Sequence, residues 1–210
     1  MKSFSLRPVL LALAVAGPLV AGPDDVRDLG ESLVYVRMER VTAESAALPA
    51  APSLVLDLRY AAGEDAAAAA LQAKLRGNPA GRRLLLVLAN PETAAPLRRI
   101  LEPAHLPARV LVLGRAGENF EPDIPVDFDA EAERTAWAAG GTGDLTELIT
   151  DNPGKIRLDE AAIVRRHQNG GPEDGEPPAA AAAGTPVTDR VLQRAVQLHR
   201  GLNALPSGRN

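Results

Sequence analysis

The tightest constraint on how this chain folds is a rhythm: Val- and Leu-rich runs at 54–58, 84–88 and 110–113 alternate with segments patterned as helix. A further such run lies at 33–36. The near-continuous apolar character of the last three suits parallel strands covered on both faces, although periodicity alone does not separate such runs from buried helix. The intervening residues make the distinction. After 54–58 come Gly63, the acids Glu64 and Asp65, an Ala-rich run with Leu71 and Leu75, and the bases Lys74 and Arg76 before Gly77. Acids at the start and bases at the end complement a helix dipole. After 84–88, Asn90 is placed to cap, Pro91 to take the first helical position, and Leu97, Ile100 and Leu101 to share one face until Pro103. The order βαβαβ requires right-handed crossovers and predicts an α/β domain, a mainly parallel sheet flanked by helices.

Beyond this core the pattern predicts a helix over 129–139 that carries Trp137, the single tryptophan, towards the interior. Gly140-Gly141-Thr142-Gly143 has the look of a phosphate loop, but it follows a helical segment rather than a strand and lacks a following Gly-Lys-Ser. It reads as a helix stop. Residues 170–184 are mainly Gly, Pro, Glu and Ala without a periodic apolar face, the composition of a flexible linker. Thr188 or Asp189 then caps a final helix whose Val191, Ala195, Leu198 and Leu202 recur at helical spacing, flanked by Leu192 and Val196. A chain of 210 residues supports one domain that buries about 70% of its unfolded surface, so this stripe is expected to dock on the same core. The expected organisation is a signal peptide at 1–22, an α/β domain at 23–169, a linker at 170–185 and a docking helix at 186–204.

The signal peptide is read from Met1, Lys2 and Arg7 followed by a charge-free segment at 8–20. That run falls short of the about 20 apolar residues that span a bilayer, and Gly17-Pro18 interrupts it. Cleavage is expected after Ala21 or Ala16, leaving a periplasmic or extracellular protein without a membrane span; the competing reading is an uncleaved amphipathic anchor. The chain has no cysteine, so disulfides, thiolate metal sites and thiol nucleophiles are excluded. Loss of Lys2 and Arg7 takes the net charge from −4 to −6, which argues against nucleic acid as a partner. The 20 arginines against 3 lysines reflect a codon bias rather than a binding surface.

From Ser53 the chain reads S-L-V-L-D-L-R-Y-A-A-G. This resembles the carboxyl-terminal processing, or tail-specific, proteases, whose core is crotonase-like and in which a strand ending D-L-R-x-N-x-G-G supplies glycine amides to the oxyanion site. Asp57, Leu58, Arg59 and Gly63 match that motif, while Ala61 stands for Asn and Glu64 for the second Gly. Residues 33–37 and 41–46 are similar to the family's G-Y-I-R strand and F-x-x-x-T-A segment, 84–90 to the strand ending V-L-V-N before the nucleophile, and 110–114 to the V-V-G strand after it. Asp189, Leu192, Ala195 and Val196 resemble the closing D-x-x-L-x-x-A-L segment.

The resemblance implies a serine activated by a lysine, a dyad that works because burial keeps the amine neutral. Carried over without a gap from Asn90 to Gly114, the nucleophile position falls on Ala95 and the lysine position near Phe120. No lysine lies between Lys74 and Lys155, so neither half of the dyad is present. Thr93 is a weak substitute nucleophile: it is a hydroxyl near a helix start, but no base is near it in sequence, and such a hydroxyl ordinarily satisfies a backbone amide. His105, His167 and His199 stand far apart and read as solvated surface residues rather than metal ligands. Asp57 sits at the carboxyl end of a strand, where α/β sheets place ligand contacts, and its plainer reading is a cap or an ion pair with Arg59.

The expectation is therefore an exported, non-hydrolytic relative of the tail-specific proteases that binds a peptide or protein, with no metal and no cofactor. Its binding crevice is expected around Asp57, Arg59, Gly63, Asn90, Thr93 and Ala95. One alternative is an enzyme of another class using Asp57, Glu64 and Glu92, which would gather in one pocket. The other is a plain scaffold whose crevice is filled by its own side chains. Oligomeric state stays open.

Overall fold

The computed structural model describes residues 25–44, 48–77, 83–150 and 187–205. Strands β1 (Asp25–Asp28), β2 (Leu33–Arg37), β3 (Ser53–Asp57), β4 (Leu84–Leu88), β5 (Val110–Gly114) and β6 (Ile124–Pro125) form one sheet in sequence order. β1 runs antiparallel to β2, and every other neighbour is parallel. Helix α1 (Asp65–Arg76) joins β3 to β4, and α2 (Ala95–Ile100) with a short 3₁₀ turn at Pro103–His105 joins β4 to β5. After β6 come α3 (Ala130–Thr142), α4 (Leu145–Ile149) and, at the far end of the sequence, α5 (Arg190–Ala204). Among the described residues no helix is long and apolar enough to cross a membrane.

Sequential strand order decides where the helices lie. Each parallel crossover steps the same way along the sheet, so crossovers of one hand place α1 and α2 on one face. That face buries Leu54, Leu56, Leu58, Leu85, Val87 and Val112 against Leu71 and Leu75 of α1 and Leu97 and Ile100 of α2. Among the described residues the helices between strands lie on that face, and of the connections Leu29 packs against the other. That other face carries Leu33, Tyr35, Val55, Leu86, Leu88 and Leu113, and is closed by Leu145 and Leu148 of α4 and by Val191, Leu192, Ala195 and Val196 of α5. The final helix thus supplies one wall of the core, and successive strand residues alternate between two apolar layers. Gly114 permits the tight pairing of β4 and β5 at their carboxyl ends, since a Cβ there would stand 1.7 Å from the Ala89 carbonyl oxygen.

Several expectations need correction. Asn90 does not cap a helix that begins at Pro91: its side chain closes a turn on Thr93, and α2 starts at Ala95 with Pro96 in its first turn. Thr93 accordingly lies ahead of the helix. The Gly140-Gly141 pair lies inside α3, which stops at Gly143. Trp137 is half-buried and stacks on Arg37 and Tyr60 instead of entering either apolar layer. Leu202 is 41% exposed, because α5 overruns the sheet after Leu198. His199 is buried, with its Nε2 3.1 Å from the Glu31 carbonyl, and is no solvated residue. β1, β6 and α4 were not expected. The expected signal peptide at 1–22, the linker at 170–185 and His167 lie outside the described residues.

Candidate functional site

The carboxyl end of β3 places a charge inside the protein. Alternation along β3 puts Val55 and Asp57 on the face that receives α5, where Asp57 meets Tyr35 from the neighbouring strand. The Tyr35 hydroxyl donates to Asp57 Oδ2 at 2.8 Å. Arg59 turns back over the same carboxylate, with Nε 3.0 Å from Oδ1 and Nη2 2.6 Å from Oδ2. Its outer edge grips Asp189, with Nη1 2.9 Å from Oδ1 and Nη2 2.7 Å from Oδ2. Asp189 in turn accepts from the Leu192 amide at 3.0 Å and so caps α5. Asp57, Arg59 and Asp189 are 0%, 1% and 2% exposed.

One guanidinium fork between two carboxylates engages four of the five N–H donors of Arg59. Burial alone would lower the Arg59 pKa, but Asp189 and Asp57 outweigh it and hold the guanidinium well above its ordinary value. Burial, then Asp57, push the Tyr35 phenol well above its usual range, so it remains a neutral donor. Such a buried network adds little over an apolar isostere, yet removing one member leaves an uncompensated charge and costs about 3–5 kcal/mol. It therefore fixes where α5 docks.

Asn90 and Thr93, at the end of β4, are equally committed. The Asn90 amide donates to Thr93 Oγ1 at 3.1 Å, and the Thr93 amide donates to Asn90 Oδ1 at 3.0 Å. The Thr93 hydroxyl gives its proton to the Leu58 carbonyl at 2.9 Å. No base stands where that proton goes, so the hydroxyl ties β4 to β3 and is not activated. Four of the six expected crevice residues, Asp57, Arg59, Asn90 and Thr93, thus lie at one end of the sheet, but all four are buried.

Gly63 and Ala95 lie elsewhere. Gly63 lines a surface cavity of about 470 Å³ with Arg40, Thr42 and Glu64. Its Cα faces Leu97, whose side chain would lie 3.1 Å from an added Cβ. Ala95, exposed at the first position of α2, lines a different cavity of about 440 Å³ with Arg98, Glu102, Glu118 and Phe120. Ala95 and Phe120 are thus brought together on one cavity, and the two bring no acid, base or nucleophile to it. The three carboxylates of the enzyme alternative are apart: Asp57 is paired with Arg59, Glu64 borders the Gly63 cavity, and Glu92 pairs with Arg115 at 2.6 Å. Among the described residues no three His, Asp or Glu side chains converge as metal ligands.

Sequence reasoning missed Tyr35 as a member of this region and read Asp189 as a helix cap and part of the closing segment, not as a partner of Arg59. Tyr35 reads as one more residue of an apolar strand, and nothing local in the sequence links Asp189 to a strand end 130 residues away. No known family model, characterised protein or solved structure matches the chain.

Proposed function

We propose that the protein is an exported, non-hydrolytic module, a degenerate relative of the tail-specific proteases with a crotonase-like core, that binds a peptide or protein segment. One observation carries this reading. The two positions at which the resemblance would put serine and lysine, Ala95 and Phe120, line one cavity beside the start of α2, and neither has chemistry to offer. A shared cavity is what an ancestral dyad requires, since nucleophile and base act as one unit. The buried ion pairs at the end of β3 favour the same reading, because Asp57, Arg59 and Asp189 take one another as partners. The lead of Lys2 and Arg7 before the charge-free run at 8–20 supports export.

The test pairs catalysis with binding. Purified protein should leave unstructured polypeptides uncut and resist serine-directed phosphonates. Peptides selected on it from a random library should lose affinity by at least tenfold on Ala95→Trp, which fills the cavity from an exposed helix position. Turnover that disappears on Thr93→Ala would contradict the reading. Selected peptides indifferent to Ala95→Trp would remove the cavity from it.

A further inference from the structure

The turn that joins β1 to β2 winds in the left-handed sense. Gly30, Glu31 and Ser32 take φ of 81°, 52° and 62° in succession. Glycine enters this region freely, whereas residues with a side chain are strained there and ordinarily enter it singly. Tyr60 and Arg109, the other described residues with positive φ, do stand singly. The Leu29 amide donates to the Leu33 carbonyl at 2.9 Å, the Leu33 amide to the Gly30 carbonyl at 2.9 Å, and the Gly30 amide to Asp28 Oδ1 at 2.8 Å. None of these bonds involves Glu31 or Ser32, the two strained residues.

Strained backbone persists where its surroundings over-determine it, and here the surroundings are α5. His199, 2% exposed, sets its Nε2 3.1 Å from the Glu31 carbonyl oxygen, and a carbonyl accepts only, so that nitrogen carries the proton. Asn203, one turn further along, stands 2.9 Å from the same nitrogen. Arg200 Nε reaches Glu31 Oε1 at 3.2 Å, an exposed pair that adds little. The buried imidazole is the principal hold. Leu29, before the turn, and Leu198, before His199, both pack against the apolar layer that α5 closes.

β1 has few other supports. Among the described residues it pairs with β2 alone, three of its four residues are charged, and neither apolar layer contains any of them. Its side chains reach another element through Arg27, which donates to the Gly143 and Gly141 carbonyls at 2.6 Å and 3.1 Å. β2, in contrast, gives Leu33 and Tyr35 to one apolar layer and Val36 to the other. An apolar strand with a bare edge is a template for pairing with other chains, and β1 covers that edge.

We infer that the Gly30–Ser32 turn is a sprung latch through which the last turns of α5 hold β1 against the sheet. With His199 seated, the turn stays wound and β1 covers β2. When those helical turns lift, the strain is released and β1 parts from β2, while β2 to β5 remain paired. The first described strand and the last helix thus open and close together, and the β2 edge is bare only in the open form.

Hydrogen exchange on the full chain at fixed pH, read on peptides covering 25–29 with 84–88 as the internal reference, tests this. His199→Leu with Arg200→Ala keeps an apolar side chain in the buried site but removes both ties to Glu31. It should speed exchange of 25–29 at least tenfold and leave 84–88 unchanged. Ser32 is exposed, so Ser32→Gly relieves strain without disturbing α5. It should slow 25–29 severalfold in the wild-type chain and, added to the double substitution, recover most of the lost protection. Exchange of 25–29 unmoved by the double substitution would overturn the latch, as would Ser32→Gly leaving 25–29 unchanged or faster. If the double substitution also unsettles 84–88, the response of the wild-type chain to Ser32→Gly decides.

Discussion

At the scale of single residues, the fold turns on a phenol, a guanidinium and two carboxylates that ordinary burial would exclude. Tyr35 is the neutral member, and its hydroxyl adds a fourth donor to an Asp57 carboxylate already held by the side chain and the backbone amide of Arg59. Because Arg59 remains on Asp57 when the hydroxyl is removed, Tyr35→Phe should cost only about 1 kcal/mol, the ordinary net value of one hydrogen bond. A second signature is alkaline. The folded phenol holds its proton more tightly than the unfolded one, so its contribution is complete below about pH 10 and is lost as pH rises beyond that. Denaturant titrations at pH 9 and 11 should show wild type losing more stability between them than Tyr35→Phe; an equal loss would contradict the shielded phenol. The Asp57–Arg59 pair was legible in the sequence, since two opposite charges stand two residues apart at a strand end. Their third partner was not. Asp189 carries an equally good local explanation as a helix cap, which it also is, and local explanations hide distant ones. Thr93 shows the reverse: the expectation that its hydroxyl satisfies a backbone amide held, through the Asn90 amide ahead of the helix, and the same hydroxyl also donates to the Leu58 carbonyl.

At the scale of elements, what could be read was what has length and apolar continuity. β3, β4, β5, α1 and α5 have five or more patterned residues and appear where the Val, Leu and Ala spacing puts them. β1, Asp-Val-Arg-Asp, is polar at three of four positions, and β6 is two residues long, so neither has a pattern to read. α2 misled because Asn-Pro imitates a cap followed by a first helical residue, while the true start is set by the turn that Asn90 and Thr93 close between them. α3 outran its expected stop because a helix tolerates glycine at a cost of about 1 kcal/mol, so Gly140 and Gly141 do not end it; at Gly141 the missing Cβ leaves room for the Arg37 guanidinium, whose Nη1 would stand 2.9 Å from it. The junction of α4 and α5 yields a further prediction. The Asp189 amide donates to the Leu148 carbonyl at 2.9 Å, and the Gln193 side chain reaches the Ile149 carbonyl at 3.2 Å, so the chain leaves α4 and re-enters at α5 in the same place. Replacing residues 151–186 by a Gly-Ser bridge of about four residues should keep cooperative unfolding and shift Tm by no more than a few degrees, because shortening a closed loop changes its entropy slowly. Loss of cooperative thermal unfolding in that deletion would show that the fold needs the excised segment.

At the scale of the molecule, two apolar layers enclose the sheet, and the second is completed only when α5 arrives from the end of the sequence. The Asp57–Arg59–Asp189 network, at the carboxyl end of β3, is where the start of α5 is tied to the sheet. One consequence is a closed crest over the end of β3, in which Asp57, Arg59 and Asp189 are buried together. The most direct test is a double-mutant cycle on urea unfolding with Arg59→Met and Asp189→Asn, the asparagine chosen because it preserves the helix cap while removing the charge. If Arg59 and Asp189 are buried together as described, each single substitution should be strongly destabilising and the pair should show a coupling of about 2–3 kcal/mol, the double mutant losing far less than the sum. Additive losses, with a coupling near zero, would contradict the closed crest.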